Sequence, residues 1–341
     1  MAESSIGKAD TVYRIFKASL STDKSTRTEI SNSTALSFVT VSKVVDHLIA
    51  QNILKQTYTN DKSAKRRSNI LSVKQYHWIA VYHLSPDKFT FSAYDLSLTP
   101  IASFAQSTDR SIFIDDCLNS FIRDSHSFMK NQKLHTERCI GTGVIVPGIY
   151  DKDNDKISAD ADTHLNGIRI REFFTDSIFA GRLIILNECN ALAASVQNGM
   201  SRDDRILTVF LHKYAFLTGY IADREAETTD IKNFGILKTA NGKSIKDAAL
   251  RSLDTDTVFE ELSKILMTLI STIPITKITV CSSIYANSES VTETIRKMLW
   301  KSCEEYLIMP PEVMHGECVD LSGKGIASAI RKDWFFADLL K

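Results

Sequence analysis

Two groups of residues have the types and spacing to act on something outside the chain. The first is Val39, Thr40, Ser42, Lys43 and His47, with Thr28 and Ser37 just ahead of them. At ~100° per residue, Val39, Thr40, Lys43, Asp46 and His47 share one side of a helix, with Ser42 at its edge. Short polar and apolar groups with one lysine near a helix start suit base edges and phosphates in a DNA major groove. The second group is the cation run Lys62, Lys65, Arg66 and Arg67 within TNDKSAKRRS. On a loop beside such a helix these cations would touch phosphate or the minor groove. Metal chemistry is not indicated. The six cysteines are scattered without a CxxC pair, and His315 with Cys318 and His135 with Cys139 are isolated couples, whereas a structural zinc needs four ligands.

The elements that must hold the first group are written locally. A helix is expected over about Lys8–Leu20. Thr26-Arg-Thr-Glu29 is a capping box that starts a short helix ending near Ser33. Thr34-Ala-Leu36 is the turn, and Ser37 caps the next helix. In that helix Val41, Val44, Val45, Leu48 and Ile49 form one stripe for burial. Asn52 stands where a left-handed helix end is expected. Ile53–Tyr58 and Asn69–Val73 read as the strands of a hairpin whose tip carries the cations. The same residues would serve a trihelical protein-interaction unit with merely solvated charges. The coincidence of capped helix pair, polar outer face and basic wing favours DNA. Asn32-Ser-Thr34 matches a glycosylation acceptor, which a cytoplasmic chain would not use.

Charge divides the chain in the same place. Up to Lys74 there are 12 basic and 6 acidic residues, and afterwards 29 and 35, so +6 meets −6 in a chain of zero net charge. A nucleic-acid-binding module joined to a neutral-to-acidic body shows this asymmetry. With 43% hydrophobic and 24% charged residues the 341-residue chain can bury sizeable cores. It has no apolar run of the ~18 residues a membrane span needs, and no apolar block near Met1 that could serve as a secretory signal. A cytoplasmic protein with reduced thiols is expected. Beyond Lys74, strands are expected at Trp78–Leu84 and Phe89–Tyr94, with Ser85-Pro-Asp87 as their turn. An amphipathic helix follows over Ile112–Lys130, then strands at Cys139–Tyr150 and Leu183–Leu186. Asn187–Ser195 runs into a helix, Ile206–Leu211 and Ala215–Ile221 form a hairpin, and Val258–Ile273, Ile278–Cys281 and Ser290–Lys301 alternate helix, strand, helix. A last helix is expected from near Gly325. The alternation implies a layered α/β body in two lobes.

The order of elements resembles the ROK family of sugar-responsive repressors and sugar kinases. Thr26-Arg-Thr-Glu-Ile30, Ala35-Leu-Ser37 and Thr40-Val-Ser-Lys43 resemble its winged helix-turn-helix. Ala64-Lys-Arg-Arg-Ser68 resembles its Gly-Arg-Arg-Pro wing, with Lys65 for the glycine and Ser68 for the proline. Val146-Pro-Gly-Ile149 and Asn187-Glu-Cys-Asn-Ala191 resemble two further signatures. The resemblance implies α/β architecture: a winged helix-turn-helix over 1–74 and an actin-like, ribonuclease H-like body over 75–341. One lobe would comprise 75–181 with 325–341, the other 182–324. It also implies a homodimer or tetramer on a palindromic double-stranded operator, and a sugar or sugar-phosphate effector.

The kinase positions depart from the family's pattern. Val81-Tyr-His-Leu-Ser85 stands where a phosphate-cradling Asp-x-Gly-x-Thr turn belongs, and His212–Phe216 where a second glycine-rich turn belongs. Backbone amides approach phosphate closely only where side chains are absent, so Tyr82 and Leu84 oppose it. Glu188 replaces the aspartate base, and misplacement of ~1 Å can cost ~10²-fold in rate. Asn233-Phe-Gly-Ile236 lacks the family's carboxylate and histidine, Lys238–Lys246 lacks its zinc-loop cysteines, and Cys281-Ser-Ser283 lacks its glycine pair. Neither a catalytic centre, a cofactor nor a metal is therefore expected. Asn187 and Glu188 are the candidates for a residual ligand pocket, although Glu188 would equally suit a helix-start carboxylate favoured by the dipole. The leading expectation is a transcriptional repressor of carbohydrate-related genes. The alternatives are a divergent ATP-dependent sugar kinase and a DNA-bound regulator controlled by a protein partner.

Overall fold

The computed structural model describes residues 2–20, 25–59, 68–74, 76–109, 111–158, 164–174, 181–197, 204–212, 215–221, 229–231, 255–282, 288–316 and 318–339. Helix α1 (Ala2–Leu20) starts ahead of the expected Lys8. Helix α2 (Arg27–Thr34) begins at the capping box. The Thr26 hydroxyl accepts from the Glu29 amide at 3.2 Å, and the Thr26 amide donates back to Glu29 Oε2 at 2.7 Å. It ends on Ala35 at φ 54°. Helix α3 (Phe38–Ala50) is capped by Ser37, whose hydroxyl accepts from the Thr40 amide at 3.2 Å. Asn52 takes the expected left-handed conformation at φ 59°, and its Oδ1 accepts from Lys74 Nζ at 2.7 Å. Strands β1 (Leu54–Thr59) and β2 (Ser68–Val73) pair antiparallel, with Leu54 opposite Val73. The tip of this hairpin, including Lys62, Lys65, Arg66 and Arg67, lies outside the described residues.

Two five-stranded sheets follow, built to one plan. In the first, β3 (Trp78–Ser85), β4 (Lys88–Asp95) and β5 (Pro100–Ser107) form an antiparallel meander. Helix α4 (Ile114–Asn131) leads to β6 (Cys139–Val146), which lies parallel to β3. A small hairpin of β7 (Ile149–Asp151) and β8 (Lys156–Ser158) precedes β9 (Leu183–Asn187), parallel to β6, and β9 runs directly into α5 (Glu188–Gln197). The second sheet has the meander β10 (Ile206–His212), β11 (Ala215–Ile221) and β12 (Thr229–Ile231). Helix α6 (Thr255–Thr272) leads to β13 (Lys277–Ser282), parallel to β10. Helix α7 (Ser288–Glu305) then leads to β14 (Glu312–His315), parallel to β13. Strand orders are β5-β4-β3-β6-β9 and β12-β11-β10-β13-β14, so each sheet is a meander extended by two parallel strands. Helix α8 (Cys318–Trp334) closes the chain and continues as a π-helical turn over Phe335–Leu339.

Strand β5 was not expected. It is the sheet's edge, and its alternating exposure leaves no fully buried residue to mark the period in sequence. The expected division at 181/182 falls just before β9, yet β9 is hydrogen-bonded into the first sheet. Helix α8 begins at Cys318, well before the expected Gly325. That glycine lies inside the helix because α8 crosses α5 closely there: a Cβ on Gly325 would overlap the carbonyl oxygen of Ala191.

One face of the first sheet buries Tyr82, Leu84, Phe89 and Phe91 against Leu118 and Phe121 of α4. The other face offers Ile79 and Val81 to Ile326 and Ile330 of α8. This second core does not stop at the expected 74/75 boundary. It runs on through Ile15 and Phe16 of α1 to Val41, Val45 and Leu48 of α3. Tyr13 and Phe16 meet the Phe335 ring at centroid distances of 4.9 and 4.8 Å, the kind of aromatic contact that adds ~1 kcal/mol beyond burial. Arg331 of α8 is buried beside the same helix and donates to the Leu96 carbonyl at 2.6 Å. Burial lowers its pKa, while Tyr13 and Asp95 act in the opposite direction.

Candidate functional site

The α3 stripe is buried as its spacing requires: Val41, Val45 and Leu48 fully, Val44 and Ile49 partly. That anchoring fixes what the opposite side presents. Phe38, Val39, Lys43, Asp46 and His47 are exposed, and Thr28 is exposed on α2. The hydroxyls are turned away from that surface or toward each other. Those of Ser37 and Thr40 lie 2.8 Å apart, and the Ser42 hydroxyl is buried with no partner among the described residues. Ser42 is therefore half-buried and turned inward, not at the outer edge that the helical wheel implies. Asp46 accepts from Arg27 at 2.7 Å, and Arg27 also donates to Gln56 Oε1 at 3.0 Å, which ties α2, α3 and β1 together. The first turn of α3 carries no acidic residue, so no carboxylate of that turn offsets the partial positive charge of its N-terminus. The outer surface is thus an apolar tip followed by Lys43 and His47, beside a helix end that attracts phosphate.

The second candidate lies where β9 of the first sheet becomes α5, which packs on the second sheet. Asn187 Oδ1 accepts from the Asn190 amide at 2.8 Å, so Asn187 caps α5. Glu188 follows in the first turn, buried, with its Oε1 2.6 Å from His83 Nε2. With Nε2 protonated, His83 donates to the carboxylate, and this bond joins residues 105 apart in sequence. Asn187 and Glu188 are therefore brought together, and both already have partners within the chain.

No motif marks His83 in the sequence, although strand parity points to it. Tyr82 and Leu84 share the α4-facing side of β3, where Tyr82 bonds Ser125 at 2.9 Å and burial pushes its phenol well up. Neither side chain blocks the junction. His83 shares the opposite side with Ile79 and Val81, the side covered by α8, and reaches Glu188 there. Nor does Cys139 offer a nucleophile, because burial pushes its thiol up to about 12 and keeps it protonated. Asn233–Ile236, Lys238–Lys246, Ser283 and the loop residues Lys213 and Tyr214 lie outside the described residues. Among the described residues no group of three or more His, Cys, Asp or Glu could hold a metal ion.

No protein-family profile matches the chain, and no curated protein matches it by sequence. Solved structures do match. A ROK family transcriptional regulator, homologous to the E. coli MLC protein, superposes with TM-score 0.64 at 12% identity over 97% of this chain and 98% of its own. The fold is that of the ROK proteins. A ROK family protein from Streptococcus pneumoniae in complex with sucrose matches with TM-score 0.55 at 14% identity, over 77% of this chain and 100% of its own. The ROK hexokinase from Thermus thermophilus gives 0.56 at 11% identity, over 75% and 99%. The ROK fold thus accommodates both a transcriptional regulator and a hexokinase. Among the described residues no helix is long and apolar enough to cross a membrane.

Proposed function

We propose that the chain is a sequence-specific DNA-binding regulator acting as a repressor of carbohydrate-related genes. In this reading residues 1–74 are a winged helix-turn-helix, and residues 75–341 a sugar-kinase-like body that senses and dimerises without catalysing. The observation that carries it is the two-sidedness of α3: one stripe is sunk in the core, while Val39, Lys43 and His47 face solvent. The matches add support, because the regulator covers 97% of the chain whereas the hexokinase covers 75%. That shortfall is about the size of the first 74 residues. Thr28, Ser37 and Thr40 then position α3, Lys43 and His47 face the groove, and Lys62, Lys65, Arg66 and Arg67 hold backbone phosphate. Two such heads on an intracellular dimer call for a roughly palindromic operator.

The test is selection of bound duplexes from a random pool with the full-length protein. A motif with two half-sites a whole number of helical turns apart is expected, and failure to enrich any sequence overturns the reading. Arg66→Ala with Arg67→Ala should reduce the slope of log affinity against log salt by about 2. Against phosphorylation stands the replacement of the family's aspartate by Glu188, one oxygen of which is already bonded to His83. A coupled assay over a hexose panel should show no turnover above a Glu188→Ala control. For the effector, a sugar or sugar phosphate at ~100-fold its dissociation constant should add ~2.7 kcal/mol of stability. If none shifts the melting point, control by a protein partner replaces control by a sugar.

A further inference from the structure

The leading turn of α3 has an unusual surface for a helix that meets a polyanion. Phe38 is 53% exposed and Val39 64%, and neither belongs to the core behind them. Their polar neighbours are largely committed: the Ser37 and Thr40 hydroxyls face each other, the Ser42 hydroxyl is buried, and Asp46 is held by Arg27. Side chains lean toward a helix's N-terminus, so Phe38 projects over the end that leads into a groove. What this tip offers a base edge is therefore hydrocarbon. In the major groove only one of the four bases carries an alkyl group, and that is thymine through its 5-methyl.

We infer that Phe38 and Val39 read thymine by its 5-methyl group, which makes a thymine-containing half-site the ligand class of this surface. The inference rests on the DNA-binding reading above and adds what that reading leaves open, namely which base the first turn selects and by what contact. Lys43, one turn further on and exposed, supplies a charge contact that does not depend on the methyl.

The experiment uses the full-length protein and the duplex enriched from a random pool. Each thymidine of one half-site is replaced in turn by deoxyuridine, which removes the methyl and leaves base pairing and charge unchanged. At one or two positions affinity should fall about four-fold per methyl lost. Phe38→Ala with Val39→Ala should bind the thymidine and deoxyuridine duplexes equally, while Lys43→Ala keeps the discrimination, which closes a mutant cycle between side chain and methyl. At a sensitive position, 5-methylcytosine should bind better than cytosine, because it restores the methyl on a different base pair. Both side chains are exposed, so the variants should melt with the wild type and report on binding alone. If deoxyuridine costs nothing at any position, the inference falls while the DNA-binding reading stands. If the variants alter self-association and leave discrimination intact, the pair is a protein contact and the inference also falls. If no duplex is enriched, both readings fail together.

Discussion

Two helices in this chain begin with their caps at candidate sites, and they are finished in opposite ways. At α3 the cap is Ser37, the turn beyond it is exposed, and no carboxylate sits there. At α5 the cap is Asn187, buried, and the next residue is a buried carboxylate already bonded to His83. Both helix starts carry the same partial positive charge. One is left open toward solvent and the other is neutralised from within the chain. Capping sets where a helix begins, whereas the surroundings of its first turn set whether an outside ligand can use it.

The contrast can be broken at the closed end first. Gly325→Val places a side chain against the backbone of α5 at Ala191, where nothing flexible can yield. A loss of about 3 kcal/mol or more is expected in chemical denaturation. A near-neutral result would mean that α5 and α8 can separate cheaply. His83→Ala takes the imidazole away from the buried Glu188, and a loss of roughly 2 kcal/mol is expected by the same measurement. Should the variant instead gain stability together with sugar affinity in calorimetry, the junction is a blocked binding site. At the open end, Ser37→Ala removes an exposed cap and should cost about 1 kcal/mol. Lys43→Ala should leave stability within ~0.5 kcal/mol and weaken duplex binding, so that stability and binding part company on this face alone. If Lys43→Ala destabilised the protein as much as His83→Ala, the distinction between an open and a closed helix start would collapse.

Much of the N-terminal unit was legible in the sequence. The Thr26–Glu29 box, the Ser37 cap, the Asn52 turn and the Val41–Val45–Leu48 stripe all appear where the residues put them. The alternation of the body also emerges, as do both hairpins flanking Ser85-Pro-Asp87 and 213–214. What escaped was of another kind. Tyr82 stands at the phosphate position in sequence, yet its parity on β3 sends it into the α4 core; His83, one residue on, reaches the junction. Phe38 falls, on a helical wheel, in line with Val45, yet it is largely exposed because it lies beyond the end of the core.

The sequence by itself determined whatever depends on neighbours within about four residues: caps, left-handed ends and the periodicity of burial, since those hydrogen bonds and faces are written in consecutive residues. Only the tertiary structure decided that α1 stacks Phe16 on Phe335, that Gly325 admits α5, and that Glu188 meets His83. These contacts join residues hundreds or scores of positions apart, and a local pattern fixes a residue's direction along its element without naming what will stand opposite.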